Sequence, residues 1–354
     1  MSNTIFLTGF PGFIASRLVH RLAQNYERFI FLVQPALRDR AAREINEIAR
    51  ETGRDSHDFR IAEGDITEPN LGLSAGNLET LRAETTLVFH LAAIYDLAVT
   101  QQVALRVNLE GTRNINKLVR SLPLLRHYHY VSTCYVAGKR KGVIREAELR
   151  HDAGFRNYYE ESKYLAELEV EALKHALPVT IHRPAVVCGD SQTGETAKYD
   201  GVYYLIHYLL KAPRLLSTLN IGNEEVTLNL VPVDFVVNSL TALAEDAQAL
   251  GKTLQLADPE PLTTRELFNT IAESICGRRA LITVPPGLVQ FTLMLPPSPR
   301  ISGLPHHAVP YFFLRQSYAS SEAQRLLSHH QLACPPFKSY VDNIIGYAVR
   351  HRTL

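Results

Sequence analysis

The chain has 354 residues, 46% hydrophobic and 21% charged, with a formal net charge of +1. That size and composition suit one large α/β domain or two small domains sharing a core, and the near-neutral charge offers no ground for a nucleic-acid partner. The four cysteines contain no C-x-x-C pair and none of the 14 histidines has metal spacing, so neither a zinc site nor a disulfide framework is expected.

The opening MSNTIFLTGF lacks the basic region of a signal peptide, and a glycine turn follows at once. The most apolar stretch, Leu281–Leu295, is too short to span a bilayer and is broken by Pro285 and Pro286. The expectation is a soluble cytoplasmic protein with no integral membrane span.

In chain order, strands are expected at Thr4–Thr8, Phe29–Val33, Phe59–Ala62, Leu87–His90, His129–Ser132 and Val179–His182. Helical patterns such as Ile14–Gln24 and Val107–Val119 lie between them. This alternation predicts right-handed crossovers and a parallel sheet. After Pro184 the rhythm breaks: a polar region, SQTGETAKYDG, precedes an aromatic helical stretch, VYYLIHYLLKAPRLL. A strand returns at Thr253–Ala257, and the tail from about 260 holds helices and a proline-rich segment, 285–310. That segment reads as a packed loop, with a mobile lid or a membrane-surface patch as the alternatives.

TIFLTGFPGFIASRLVHRL reads strand, turn, helix. Gly9 permits the tight turn, Gly12 admits a pyrophosphate at the helix N-terminus, and Ala15 lets the helix lie close on the strand. The fold class is therefore α/β: a doubly wound parallel-sheet Rossmann domain with a smaller, mostly helical C-terminal substrate lobe. Residues 1–190, with about 228–257, are assigned to the dinucleotide-binding domain; 191–227 and 258–354 are assigned to the lobe. Gln34 ends the second strand where a carboxylate would hold the ribose of NAD, and Arg38, Arg40 and Arg43 follow. This favours NADP(H) over NAD(H), with Asp39 leaving NAD(H) open.

The stretch RNYYEESKYLAE places Tyr159 and Lys163 four residues apart in a strong helix former. Residues at that spacing share a helix face, and an ammonium beside a phenol favours the phenolate that a carbonyl reductase needs as acid/base. Tyr135 and Lys139 have the same spacing, but Gly138 disfavours a continuous helix there. HYVSTCYVAG ends the fifth strand in Ser132 and Thr133, either of which supplies a hydroxyl for the substrate oxygen.

The turn spacing G-x-x-G-x-x-A, the strand-end Ser-Thr and the Tyr-x-x-Ser-Lys resemble the extended short-chain dehydrogenase/reductase family. GDITEPNLGLS, VSTCYVAG, HRPAVVCGDSQTGE and VPVDFVV resemble its branch of fatty acyl-CoA reductases and carboxylic acid reductase thioester-reductase domains. The resemblance implies Thr133, Tyr159 and Lys163 as the catalytic set, with Thr133 preferred to Ser132 by the register of Gly138. It implies cofactor contacts from Thr8, Gly9, Phe10, Gly12, Phe13, Ile14, Gln34, Arg38, Asp65, Ile66, Leu91, Ala92, Ala93, Asn108, Lys163 and Pro184, and no metal. Gln34 departs from the arginine common at that position. With no adenylation or carrier segment in view, an acyl thioester would arrive as a CoA ester or on a separate carrier protein. The apolar lobe, with Tyr203, Tyr204, Tyr208, Phe291, Tyr311, Phe312 and Phe313, suits a hydrophobic substrate. The expected activity is NADP(H)-dependent reduction of an acyl thioester to aldehyde or alcohol. The alternatives are oxidoreduction of a ketone or secondary alcohol, nucleotide-sugar epimerisation or dehydration, and non-catalytic dinucleotide sensing. A homodimer through the helices at 107–119 and 159–174 is implied by the resemblance alone.

Overall fold

A computed structural model describes residues 3–351. Strands β1 (Thr4–Thr8), β2 (Arg28–Val33), β3 (Phe59–Glu63), β4 (Thr85–His90), β5 (His127–Val131), β6 (Val179–Pro184) and β7 (Thr253–Leu256) form one sheet, in the order β7-β6-β5-β4-β1-β2-β3. Every pairing in it is parallel. Such strands are covered on both faces, which is why TIFLT and TTLVFH are buried along their whole length. All the expected strands are present, with small shifts at their ends.

The main helices are α1 (Phe13–Leu22), α2 (Arg38–Thr52), α3 (Gly111–Arg120), α4 (Tyr158–Glu171), α5 (Val202–Lys211), α6 (Val233–Ala242), α7 (Thr264–Cys276), α8 (Pro286–Met294), α9 (Ser321–His329) and α10 (Val341–Arg350). Helices α1, α2, α6 and α9 cover one face of the sheet, in a core that includes Leu18, Ile45, Val236 and Leu326. Helices α3 and α4 cover the other, with Ile115, Val119, Ala166 and Val170 packed near Tyr128 and Ile181. A third core, built by α5, α7 and α10 around Ile206, Phe268 and Ile344, belongs to the lobe.

Three expectations are corrected. The helix read over Val107–Val119 is instead composite: Gln101–Ala104, then Leu105–Glu110 in π geometry, then α3. The lobe does not keep the whole tail, because the apolar face of α9 (Ala323, Leu326, Leu327) packs in the same core as Leu254 and Leu256 of β7. The 285–310 segment is only partly a packed loop. Leu304, Ala308 and Val309 are buried, whereas Val289 is the one buried residue of α8.

Candidate active site

The turn after β1 is shaped by what it cannot hold. Gly9 sits at φ +92°, and a Cβ there would lie 2.9 Å from the Ala92 amide nitrogen; one on Gly12 would lie 2.5 Å from the Gly9 carbonyl oxygen. The Gly12 N–H donates to that carbonyl at 2.8 Å. Helix α1 then starts with no side-chain cap, leaving the N–H groups of its first turn to an anion. The cradle fits a dinucleotide pyrophosphate.

A buried chain of hydrogen bonds holds the opposite wall. Thr112 Oγ1 donates to the Asn108 carbonyl at 2.6 Å, so it accepts from His90 Nε2 at 3.1 Å. His90 Nδ1 therefore accepts from Thr8 Oγ1 at 2.7 Å, and Thr8 Oγ1 accepts from the Ala92 N–H at 3.2 Å. Burial and the Lys163 charge push His90 down to about 3, which keeps the imidazole neutral. Leu91 and Ala92 are half-buried beside the glycine turn, and Ala93 is exposed. Phe13 and Ile14 are partly buried at the start of α1, and the Arg17 guanidinium lies 4.1 Å from the Phe13 ring centroid.

Toward the edge of the sheet, Gln34 Nε2 donates to Asp65 Oδ2 at 2.8 Å. Burial raises the Asp65 carboxyl, but the bonds from Thr67 and Gln34 and the Arg106 charge outweigh it and hold the group below its ordinary value. Arg38 Nε pairs with Glu63 at 2.7 Å, while Arg40 and Arg43 are exposed on α2.

Three expected cofactor contacts have side chains used elsewhere. The Asn108 amide is buried, accepts from Ile94 N at 2.9 Å and donates to Ser162 Oγ at 2.9 Å, tying the loop after β4 to α4. The Phe10 ring stacks on Phe31 at 4.5 Å, and Ile66 packs in the core against Gly111. Pro184 is buried at the end of β6.

Helix α4 starts at Asn157, whose side chain caps it by accepting from Glu160 N. Tyr159, Lys163 and Glu167 recur every four residues and share one face. The Tyr159 phenol faces the Thr133 hydroxyl; burial pushes the phenol above its ordinary value, and Thr133 opposes this. Lys163 Nζ donates to Tyr130 Oη at 3.0 Å and to the Val131 carbonyl at 2.9 Å. Burial pushes Lys163 down to about 7, with Glu167 opposing. The four-carbon arm of Lys163 carries the ammonium to the end of β5, and the charges that act on Tyr159 are Glu160 and Asp200.

The two strand-end hydroxyls divide clearly. Ser132 donates to buried Glu167, which also binds the Arg183 guanidinium, with Nε at 2.8 Å. Thr133 is left to face Tyr159. Tyr135 and Lys139 do not share a helix face: Cys134–Ala137 is a short 3-10 turn, Gly138 follows at φ +56°, and Lys139 is exposed.

A cavity of about 410 Å³ is lined by Tyr95, Tyr135, Lys198, Asp200, Tyr311 and others. The Tyr95 ring meets Tyr159 edge-on, centroids 5.1 Å apart, which sets this cavity beside the phenol. A second, strongly apolar cavity of about 460 Å³ is lined by Tyr208, Phe268, Leu288, Val289, Leu293 and Phe313 among others. Tyr204 and Phe312 line both cavities and form the wall between them. Of the remaining lobe aromatics, Tyr203 is buried and accepts from the Gly189 N–H, while Phe291 is 65% exposed.

The NAD-binding family described as male sterility protein matches residues 7–240. This chain belongs to that family. It is 25% identical over 281 residues to a linear gramicidin synthase polypeptide of Brevibacillus parabrevis, covering 75% of this chain and 5% of the synthase. It is 25% identical over 278 residues to the fatty acyl-CoA reductase wat of Drosophila melanogaster, covering 68% of this chain and 54% of that protein. The crystal structure of the terminal R domain from the myxalamid PKS-NRPS pathway superposes with a TM-score of 0.82 at 25% identity, covering 100% of this chain and 92% of that one. The chain thus spans about half or less of the curated relatives it matches. Its relatives thus include a fatty acyl-CoA reductase and a terminal R domain, and the family to which it belongs is described as NAD-binding.

For this member of the male sterility protein family, sequence reasoning missed Tyr130, Glu167, Tyr95 and Asp200. Glu167 had a signal, since it continues the four-residue spacing of Tyr159 and Lys163. The others had none, because they reach the site from separate loops and strands. Among the described residues no cluster could hold a metal ion, and no helix is long and apolar enough to cross a membrane.

Proposed function

We propose that this chain reduces a hydrophobic acyl thioester, presented as a CoA ester or on a carrier protein, to the aldehyde or alcohol, and that it favours NADP(H). The observation that carries the reading is the pair of cavities: one of mixed lining, set beside Tyr159 by the Tyr95 ring, and an apolar one behind Tyr204 and Phe312. A thioester carbonyl suits the first and an aliphatic chain the second. The names of the relatives, a fatty acyl-CoA reductase and a terminal reductase domain, support the same substrate class.

The glycine turn, the Ala92 amide and the Gln34–Asp65 pair would hold the dinucleotide, which supplies the hydride when bound. Thr133 and Tyr159 donate hydrogen bonds to the carbonyl oxygen, stabilising the negative charge that develops on it. The Tyr159 proton then passes to that oxygen, giving a hemithioacetal whose C–S bond breaks to release the thiol of CoA or of the carrier and leave the aldehyde; a second hydride and proton would carry the aldehyde to the alcohol. Burial disfavours the free phenolate, so Tyr159 is held protonated until the oxygen becomes basic enough to take the proton. Lys163, aimed at Tyr130 and the Val131 carbonyl, holds its ammonium at the end of β5, where it would meet the nicotinamide ribose. The amide at position 34, in place of an acid, supports NADP(H), with Arg38 moving from Glu63 to the 2′-phosphate. A homodimer across α3 and α4 belongs to the same proposal.

The test is NADPH oxidation with a long-chain acyl-CoA, the matching aldehyde and a hydrophobic ketone, each beside Tyr159→Phe. Turnover of the acyl-CoA that the variant lacks is the expected result. Activity confined to the ketone would overturn the thioester reading while keeping the catalytic residues. Equal or tighter binding of NADH in a titration would overturn the cofactor preference.

A further inference from the structure

We infer that the face of the lobe formed by Leu219, Leu281, Ile282 and α8 is a docking surface for an anionic phospholipid bilayer. The strand pair Leu219–Asn220 and Ile282–Thr283 sets Leu219 beside Ile282, and Leu281 next to them is 85% exposed. The chain runs from there through Pro285 into α8, PGLVQFTLM, which contains no charged residue and buries only Val289. Leu288, Phe291 and Met294 are exposed at three-residue intervals along that helix. A monomer seldom shows water so continuous an apolar surface, and a helix of this kind lies in a lipid interface with its apolar residues among the acyl chains.

Charge selects the partner. No acidic residue occurs between Glu273 and Glu322 or between Asp200 and Glu224, the two segments that build this face. Arg214, Arg278 and Arg300 are exposed in those two segments and form no ion pair among the described residues. Exposed arginines in the segments that build an apolar surface complement lipid phosphates and an anionic leaflet. The surface is also continuous with the apolar cavity: α8 turns Val289 and Leu293 into the chamber while presenting Phe291 and Met294 to solvent. A docked lobe would therefore set the chamber against the bilayer, able to take up or release an aliphatic chain there. That consequence rests on the proposed function; the docking does not.

The test is flotation of the full chain with phosphatidylcholine vesicles, with and without phosphatidylglycerol. Flotation only with phosphatidylglycerol is expected. Leu281→Glu/Phe291→Glu and Arg278→Glu/Arg300→Glu should each weaken it by about tenfold or more, while circular dichroism and turnover of a short water-soluble thioester stay unchanged. If the proposed reaction is wrong, turnover is absent from wild type as well and the vesicle result still decides. No flotation of wild type, or flotation of both variants as strong as that of wild type, overturns the inference. So does a dimer that Leu281→Glu/Phe291→Glu disperses without any vesicle binding, which would assign the face to a second copy.

Discussion

Four imidazoles are buried in the sheet, and replacing one of them should change how stability depends on pH. His129 Nε2 donates to the Ala244 carbonyl at 3.0 Å, so His129 Nδ1 accepts from His182 Nε2 at 3.0 Å, and His182 Nδ1 is buried without a hydrogen-bond partner among the described residues. Burial pushes His182 down to about 3 and His127 to about 4, places His90 about as low as His182, and holds His129 well below its ordinary value. The folded chain keeps these rings neutral, whereas the unfolded chain protonates them near pH 6.5. Their contribution is therefore complete above about pH 6.5 and is lost as pH falls toward about 3. At pH 5.5 an unfolded histidine is about nine-tenths protonated, so each buried ring contributes a slope of about 1.2 kcal/mol per pH unit. Glu146, Asp200 and Asp258, raised chiefly by burial, act in the opposite direction, so the total slope is mixed. The difference made by His182→Phe is cleaner. Urea unfolding near pH 5.5 should show the variant with a slope less positive by about 1.2 kcal/mol per pH unit, or about 0.9 of a proton, the difference falling to about 0.3 kcal/mol per pH unit by pH 7, whatever its absolute stability. Equal slopes in the two proteins would refute the reasoning.

Gly9→Ala should weaken NADPH binding at least about tenfold by titration, since the new methyl meets backbone rather than a movable side chain, and strain at φ +92° should also lower the melting temperature. Glu167→Gln should destabilise the fold by about 3–5 kcal/mol in denaturant, because it leaves the Arg183 guanidinium buried without its carboxylate. In the same variant Lys163 loses the charge that holds its ammonium up, so any limb of the rate profile set by Lys163 should move to lower pH. Tyr204→Ala should join the two cavities and raise kcat/KM for longer acyl-CoA substrates over shorter ones, read from a chain-length series; an unchanged ratio would show that the chain does not cross that wall.

The parts legible in the sequence are those that depend on neighbours along the chain. The strand ladder follows from apolar runs that must be buried on both faces, and the cradle follows from Gly9 and Gly12, whose conformation and clearance no other residue supplies. Helix α4 and its Tyr159–Lys163 spacing follow from helical period and strong helix formers. What lay beyond the sequence was where long side chains end and which distant segments meet. Only the tertiary structure decided that Lys163 reaches Tyr130, that Ser132 belongs to Glu167 while Thr133 faces Tyr159, and that Asn108 fastens a loop to α4. It also returned α9 to the sheet and set Tyr204 and Phe312 as a wall between two cavities. Each of these depends on contacts between residues far apart in the chain, for which local period and propensity carry no information.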